Sequence, residues 1–485
     1  MKNKQSVLRK VSLAGAFLLV LWVCWYDLGG ITIRLWDESR MAVNALEMYD
    51  SGQYWVTTFD HQPDLWNTKP PLMIWLQVLS LNLFGIHDWA LRVPAALAAT
   101  VTFTAIFHFC YRRLHDFWLG ILSIGVLAAS CGYIQVHITR TGDFDPLLIL
   151  WTVLAAFNFF IFLEHHRIRS FYATCAFFGL AVMTKGVAGM MFAPGVLLYT
   201  MYRGQLRRVL TSRHTYIGIL LFLLIALPYY FIREYYNPGY LQAVAHNELG
   251  GRFLNNLEGH GHPWYWYLPF LVSDLYIEWT PVALLGLFFL WKERNSGSTM
   301  NRGVTYAAIL LLTYLTVISI SKTKLQWYLA PVFPFAALVS AYALCFIGKK
   351  IYFGQGRAWR AGRYLFPALL LLVISKNVYY ELYTPDHHEQ LNDINYYLRD
   401  QYAAEKNAKP LLVFTPGYQP HIWWYIRTTA RKGQPLSNGS SMRIRPGVRV
   451  LVAQRDVAIL KGFVVDTLYR TNFIGVFDIK DKKQL

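Results

Sequence analysis

Eleven apolar segments divide this 485-residue chain, and most of them are close to the length that crosses a bilayer. A membrane-spanning helix needs about 20 mainly apolar residues. Charged residues make up only 15% of the chain, well below the roughly 25% of a soluble domain. We therefore predict a polytopic α-helical membrane protein with spans near residues 11–31, 89–110, 117–138, 146–163, 171–184, 187–202, 215–232, 274–291, 303–320, 326–347 and 364–383.

The basic residues between these segments indicate which loops face the cytoplasm. If the N-terminus is cytoplasmic, the basic clusters fall on alternate loops, as the positive-inside rule requires. These clusters are Arg112/Arg113, Arg167/Arg169, Arg203/Arg207/Arg208/Arg213, Lys292/Arg294 and Lys349/Lys350/Arg357/Arg360. The net charge of +18 therefore reflects membrane topology and does not indicate a nucleic-acid partner. The two longest loops on the other face, residues 32–88 and 233–273, are predicted to be extracytoplasmic.

The sequence pattern changes after Tyr383. Turns rich in Pro and Gly separate short runs of β-forming residues, which is typical of strands. The tail has a predicted helix and three predicted strands, at residues 388–404, 411–414, 448–452 and 473–477. We therefore predict two domains, a membrane domain over residues 1–383 and a small extracytoplasmic α/β domain over residues 384–485.

Several basic residues lie in the outer loops, where the positive-inside rule disfavours them. They are Lys69, Arg92, Arg140, Lys185, Arg233, Arg252, Lys322 and Lys324. A phosphate is the expected counter-ion, because carboxylates are few on this face and Lys and Arg hold phosphate through charge-assisted hydrogen bonds. The alternative is that each side chain extends to the lipid headgroups. That alternative does not explain why several of them occur in short, distinctive loops.

Acidic residues lie on the same predicted face, namely Asp37, Glu38, Asp143, Asp145 and Glu248. Asp37 and Asp145 each precede a predicted helix, so an alternative role for both is helix capping. A carboxylate at the membrane boundary is costly, and it can act as a general base or orient an acceptor. Cations stabilise the charge that develops on a leaving phosphate. Together these residues suit the transfer of a group from a lipid-linked phosphate.

Six short motifs in a fixed order resemble one enzyme family. They are Asp37-Glu38-Ser39-Arg40, Lys69-Pro70-Pro71, Leu91-Arg92-Val93-Pro94, Thr184-Lys185-Gly186, Arg252-Phe253 and Ser321-Lys322-Thr323-Lys324-Leu325. The sequence resembles the bacterial 4-amino-4-deoxy-L-arabinose lipid A transferases, which are related to the protein O-mannosyltransferases and belong to the GT-C glycosyltransferase class. The resemblance covers roughly residues 30–345, and the joint occurrence of the motifs is more specific than any one of them.

The resemblance implies a GT-C fold and an inverting glycosyltransferase of the bacterial inner membrane. Its active site and tail would be periplasmic. It would transfer a sugar, which by resemblance to the family would be an amino sugar, from a polyprenyl-phosphate donor to lipid A or another envelope glycolipid. A second hypothesis keeps the donor but makes the acceptor a protein or a polysaccharide. A transporter for a charged lipid is a third hypothesis, although transporters place ionisable residues near the bilayer midplane.

The resemblance also assigns roles to individual residues. The catalytic acid would be Asp37, with Glu38 beside it and a second acidic site at Asp145 rather than Asp143. Lys69 and Arg252 would contact the donor phosphate. Further site residues are the cations Lys185, Lys322 and Lys324, together with Arg40 and Arg92.

One position departs from the family pattern in a way that affects metal binding. Family members have an acid just before Lys-Pro-Pro, and that acid can bind a metal, whereas this chain has Thr68. The sequence therefore predicts no certain cofactor and an activity that survives chelators. If a divalent metal is bound, its weak candidate ligands are His246, His260 and His262, which show no fixed ligand spacing.

Overall fold

The computed structural model describes residues 2–135, 137–251, 259–383, 392–439 and 443–483. Up to residue 383 the chain is mainly helical. The α-helices of this part are α1 (Lys2–Trp25), α2 (Asp37–Ser51), α3 (Leu72–Phe84), α4 (Asp88–Arg112), α5 (Phe117–Ala128), α6 (Cys131–Ile134), α7 (Asp145–His165), α8 (Ile168–Lys185), α9 (Ala193–Tyr202), α10 (Leu206–Thr211), α11 (Arg213–Ala226), α12 (Pro228–Tyr236), α13 (Tyr240–Val244), α14 (Tyr267–Ser273), α15 (Thr280–Lys292), α16 (Thr299–Ile320), α17 (Phe333–Phe353) and α18 (Arg357–Tyr383). Two 3-10 segments and one π-helix lie among them, at Gly186–Met190, Gln326–Val332 and Ala245–Gly251.

Within the described residues, eight helical segments are long and apolar enough to cross a membrane. They are Ser6–Trp25, Asp88–Arg112, Asp145–His165, Ile168–Met190, Arg213–Tyr236, Thr299–Ile320, Gln326–Phe353 and Arg357–Tyr383. The prediction of a multi-pass helical membrane protein is confirmed. The span predicted at 117–138 is shorter in the structure, because α5 ends at Ala128. The number of crossings stays a prediction.

The outer loop predicted at 32–88 contains an apolar helix that a length criterion cannot detect. This helix, α3, has only 13 residues and lies against α2 and α4. The sequence also predicts a short interfacial helix with Met41, Ala45 and Met48 on one face, and α2 is that helix. Four of its polar residues, Glu38, Ser39, Asn44 and Glu47, are buried as well, because α2 packs against α3 and a helix of the tail. The position of α2 in the membrane interface stays a prediction.

The tail is a small α/β domain with a five-stranded mixed sheet. Its helices are α19 (Asn392–Tyr396) and α20 (Pro420–Arg431), and its strands are β3 (Leu411–Phe414), β4 (Leu436–Asn438), β5 (Arg449–Ala453), β6 (Phe463–Arg470) and β7 (Ile474–Lys482). The strand order is β4-β3-β5-β7-β6, with β3 parallel to β4 and β5, and β7 antiparallel to β5 and β6. Two further strands, β1 (Thr58–Phe59) and β2 (Gln62–Pro63), form a short hairpin in the outer loop. The three predicted strands correspond to β3, β5 and β7, whereas β4, β6 and α20 were not predicted.

The tail shares one hydrophobic core with α2, α3 and the start of α4. Buried members of this core include Met41, Leu46, Met73 and Leu91 from the membrane domain, and Ile394, Leu398, Trp424 and Val476 from the tail. At the edge of this core, Asp88 at the start of α4 accepts hydrogen bonds from Trp424 Nε1 (2.9 Å) and Arg399 Nη1 (3.2 Å). The predicted domain boundary adjoins residues 384–391, which lie outside the described part of the chain.

Candidate active site

Asp37 is the first residue of α2, and the backbone before it is strained. Trp36 occupies the N-cap position with φ of 78°, a conformation that bulky residues rarely adopt. The Ser39 hydroxyl and the Arg40 N–H both donate to the carbonyl of Trp36, each at 3.0 Å. Because Trp36 takes the cap position, the alternative role of Asp37 as the helix cap is wrong. The half-buried carboxylate of Asp37 faces other acids instead.

Two ligand-type side chains, His137 and Asp143, converge on Asp37. One carboxylate oxygen each of Asp37 and Asp143 and one ring nitrogen of His137 lie within 4.8 Å of one another. His137 Nδ1 is 3.6 Å from Asp143 Oδ1, and both atoms are buried without a hydrogen-bond partner among the described residues. The imidazole stacks on Trp327, with ring centroids 4.2 Å apart. Burial alone would lower the pKa of His137, but the nearby carboxylates of Asp143 and Asp37 outweigh it and raise that pKa to about 9.

This cluster differs from the metal ligands that the sequence suggested. His246 is exposed, and its Nδ1 lies 3.3 Å from Asn247 Oδ1. His262 stacks on Trp266, and the carbonyl of His260 accepts from the Lys324 N–H. Among the described residues, the metal-type cluster consists of Asp37, His137 and Asp143, and none of those three histidines belongs to it. A role for His246, His260 and His262 as metal ligands stays a prediction.

Asp145 and Lys185 form a buried ion pair close to the cluster of Asp37, His137 and Asp143. Asp145 begins α7 directly after the N-cap residue Phe144, so it is not the helix cap. Lys185 Nζ donates to both carboxylate oxygens of Asp145, each at 2.7 Å, and both side chains are less than 10% exposed. The positive charge of Lys185 is therefore matched inside the protein in this structure. Its assignment to the donor phosphate stays a prediction.

Glu38 and Arg92 hold three segments of the site together. Arg92 Nε and Nη2 donate to the two oxygens of Glu38 at 2.7 and 3.0 Å, and both side chains are 1% exposed. Glu38 also accepts from the backbone N–H groups of Arg34 and Gly142, both at 2.8 Å. The remaining Arg92 donors bind the carbonyls of Leu28, Ile31 and Thr32. These contacts favour a structural role for Glu38 and Arg92, which fixes the Asp37 loop against the Asp143 loop.

Arg40 is engaged by an acid that the sequence analysis did not identify, Asp64. Two of its guanidinium nitrogens donate to Asp64 at 2.8 and 2.6 Å, and a third donates to Tyr418 in the tail at 3.1 Å. Burial tends to raise the pKa of Asp64, but the Arg40 pair outweighs it and holds that pKa below its usual value. Asp64 also accepts from the N–H of Asn67 at 3.0 Å. The pair therefore orients the loop that leads to Lys69.

Lys69 lies near the acidic loop. Its ammonium sits 5.5 Å from the ring centroid of Phe144, the residue between Asp143 and Asp145. The carboxylate of Glu248 lies 3.9 Å from Lys69 Nζ. Lys69 is 8% exposed, so it is a buried cation next to the loop that carries Asp143 and Asp145. This placement agrees with the predicted phosphate contact.

The other predicted phosphate ligands lie elsewhere or are not described. Lys324 Nζ donates to the carbonyl of His262, at 3.0 Å, and to the carbonyl of Ser321. These bonds link the loop that carries Lys324 to the loop that carries His262. Lys322 is exposed. Arg252 lies outside the described residues. A cavity of about 580 Å³ in the tail, lined in part by Arg443 and Arg445, contains none of the candidate residues.

Comparisons with known proteins show which fold and which sequences this chain is similar to. A family model described as dolichyl-phosphate-mannose-protein mannosyltransferase matches residues 68–232, which start at the Thr68-Lys69 motif. In solved structures, ArnT from Cupriavidus metallidurans bound to undecaprenyl phosphate matches with a TM-score of 0.70, 16% identity and 98% coverage of both chains. The archaeal oligosaccharyltransferase AglB from Archaeoglobus fulgidus matches with a TM-score of 0.57 and 11% identity, over 99% of this chain and 75% of its own. At these identities the structures establish the fold.

Two curated relatives carry the name undecaprenyl phosphate-alpha-4-amino-4-deoxy-L-arabinose arabinosyl transferase. The one from Pseudomonas savastanoi is 26% identical over 390 residues, and the one from Enterobacter is 27% identical over 318 residues. These relatives are similar to this chain over much of its length and agree with the resemblance that the motifs indicate. The alignments cover 76% and 64% of this chain, but 68% and 55% of the two relatives. The predicted fold is confirmed by the solved structures, while this chain matches little more than half of some relatives.

The residues that sequence reasoning missed have weak local signals. His137 falls inside the predicted span 117–138, where a single histidine is more often a packing residue than a ligand. Asp64 precedes Leu65 and Trp66 without any motif of its own. The roles of His137 and Asp64 can be recognised only in the folded chain, where His137 lies beside Asp143 and Asp64 pairs with Arg40.

Proposed function

We propose that this protein is a multi-pass membrane glycosyltransferase that uses a polyprenyl-phosphate sugar donor. The proposal rests chiefly on one observation, the meeting of the Asp37 and Asp143 carboxylates, with the buried cation Lys69 lying against the ring of Phe144, the neighbour of Asp143 in the chain. The names of the curated relatives support an undecaprenyl-phosphate-linked amino sugar as the donor, and the family resemblance supports lipid A or another envelope glycolipid as the acceptor. The site would then face the periplasm from a bacterial inner membrane. Its position at helix ends, rather than mid-helix, does not favour the transporter hypothesis.

The proposed reaction is a displacement with inversion at the anomeric carbon of the donor sugar. The acceptor oxygen forms a bond to that carbon while the bond from the carbon to the phosphate oxygen breaks. The leaving polyprenyl phosphate keeps the bonding electrons, and Lys69 stabilises its added negative charge. If the acceptor group is a hydroxyl, Asp37 takes its proton; if it is a phosphate, Asp37 orients it. A phosphate is a good leaving group, so the step needs no acid to protonate it.

We further propose that Asp37, His137 and Asp143 bind a divalent cation. The fit is supported by two buried atoms without hydrogen-bond partners, His137 Nδ1 and Asp143 Oδ1, and by the half-buried carboxylate of Asp37. A set of one nitrogen and two oxygen donors suits Mn²⁺ or Zn²⁺. A bound cation would offset the mutual repulsion of the two carboxylates and add positive charge near the donor phosphate.

The metal proposal predicts stoichiometric metal in the purified protein. After incubation with Mn²⁺ or Zn²⁺ and gel filtration, mass spectrometry for metals should find about one ion per chain. His137→Ala and Asp143→Asn should remove most of it, whereas His246→Ala should retain it. Equal metal content in all four proteins would contradict the triad. In that case the sequence-based expectation of activity in chelators would stand.

The proposed function predicts a sugar-sized mass difference on one class of envelope molecule. Lipid A, other glycolipids and glycoproteins should be compared by mass spectrometry between cells with the gene, without it, and with the Asp37→Asn variant. We expect the mass on lipid A or another glycolipid, and only in cells with the wild-type gene. The same mass difference on a protein or polysaccharide would identify a different acceptor and would still support the proposed reaction. No difference in any class, with the protein present in the membrane, would contradict the proposal.

A further inference from the structure

Lys69, which the proposed function assigns to the donor phosphate, is paired with a carboxylate from a distant loop. Glu248 Oε1 lies 3.9 Å from Lys69 Nζ, and it accepts a hydrogen bond from the Thr68 hydroxyl at 3.2 Å. The Lys69 and Glu248 side chains are only 10% and 12% exposed. An ammonium and a hydroxyl therefore converge on one carboxylate oxygen in a largely enclosed place.

The second carboxylate oxygen of Glu248 lies close to Gly186, which has no side chain and so leaves room for it. A Cβ atom built on Gly186 would lie 3.6 Å from Glu248 Oε2 and 3.6 Å from the Tyr230 hydroxyl. Gly186 has φ of 57°, a conformation that suits glycine, and it directly follows Lys185 at the end of α8. The loop that carries Lys69, the end of α8 and helix α12 therefore all lie close to the Glu248 carboxylate.

Glu248 itself stands on an uncommon element. It lies in the π-helix Ala245–Gly251, which ends one residue before the predicted phosphate ligand Arg252. Turns of π-helix are rare and recur at functional sites. The segment that carries the carboxylate is therefore continuous with a motif assigned to the donor.

We propose that the Glu248 carboxylate occupies the binding position of the donor phosphate and is displaced when the donor binds. A buried lysine without a counter-charge is strongly unfavourable, so an internal anion is needed while the site holds no donor. At 3.9 Å the ion pair is longer than a good charge-assisted hydrogen bond, which leaves it open to replacement by a phosphate with more oxygens. After transfer, the same carboxylate would return and promote release of the spent polyprenyl phosphate.

This inference rests on the proposed function, and the sign of one substitution tests it. Glu248→Gln keeps the size of the side chain and an oxygen for Thr68, but removes the competing charge. We expect it to bind undecaprenyl phosphate in detergent about fivefold more tightly than the wild type, the effect of losing one weak ion pair. Glu234→Gln is the matched control, because Glu234 lies near the end of α12 and its carboxylate accepts from the backbone N–H groups of Gly239 and Leu241 rather than pairing with Lys69.

A double-mutant cycle with Lys69→Ala separates the competing explanations. If Glu248 competes with the phosphate for Lys69, Glu248→Gln should have no effect on affinity in the Lys69→Ala background. Weaker binding by Glu248→Gln alone would show that Glu248 supports the site, and equal binding would show that it does not compete; both results overturn the inference. If wild-type protein fails to bind undecaprenyl phosphate at all, the proposed function fails instead.

Discussion

Replacement of Asp37 by Asn should abolish sugar transfer while the protein stays folded and still binds polyprenyl phosphate. Asparagine has nearly the same shape, but it cannot take a proton or carry the charge that orients an acceptor. The loss of a general base typically lowers turnover by about 100- to 10,000-fold. The half-buried Asp37 is not the cap of α2, because Trp36 holds that position, so the helix should tolerate the change. Transfer of a radiolabelled sugar to extracted acceptor lipid in detergent measures the effect.

The control for this variant is Asp50→Asn, at the other end of α2. Asp50 pairs with Arg431 of the tail in a contact that is more than a third exposed, so the substitution should leave turnover close to that of the wild type. Donor affinity and the melting temperature should be measured on both variants. Wild-type turnover in Asp37→Asn would remove Asp37 from the mechanism, whereas loss of donor binding would assign it to the donor site.

Sequence reasoning works best here where a single physical constraint acts on a long segment. A helix in a bilayer must be long and apolar, and for this reason α4, α7 and α16 agree closely with their predicted ranges. It fails for α3, which is apolar but has only 13 residues. Such a helix is too short for a length criterion and depends on its neighbours to be buried.

For the site, the sequence indicates which residues are unusual but not which of them meet. The acids of the Asp37 and Asp143 loops were both identified, and the structure brings them together. The resemblance favoured Asp145 over Asp143 as the second acidic site, yet both carboxylate oxygens of Asp145 bind Lys185 in the structure. Which acid receives the lysine depends on how α7 packs against α8, and residues 40 positions apart give no local signal of that pairing.

Glu38 is a second residue whose role the sequence does not reveal. Its place next to Asp37 suggests catalysis, while its contacts in the structure are those of a buried ion pair with Arg92 that holds neighbouring segments together. A motif that is read as one functional unit therefore contains one residue that faces the site and one that holds it in place. Substitution of Glu38 distinguishes these two roles.

Glu38→Gln should destabilise the whole fold rather than only slow the reaction. The carboxylate accepts four hydrogen bonds, two from Arg92 and two from backbone N–H groups, whereas glutamine offers one acceptor oxygen and adds two donors. Arg92 would then be a buried charge without a counter-ion, and breaking such a pair costs about 3–5 kcal/mol. Thermal unfolding of the purified protein in detergent, followed by circular dichroism, should show a clear fall in melting temperature.

An exposed ion pair provides the matched control for Glu38. Lys480 and Asp466 are paired in the tail, at 52% and 60% exposure, and Lys480→Ala should leave the melting temperature close to that of the wild type because solvent screens an exposed pair. If Glu38→Gln instead melts like the wild type and loses turnover, Glu38 is catalytic and its ion pair with Arg92 is not needed for folding. If it melts early, and turnover per folded molecule is retained, then the catalytic chemistry of the motif belongs to Asp37. The role of Glu38 and Arg92 is then to keep that carboxylate against Asp143.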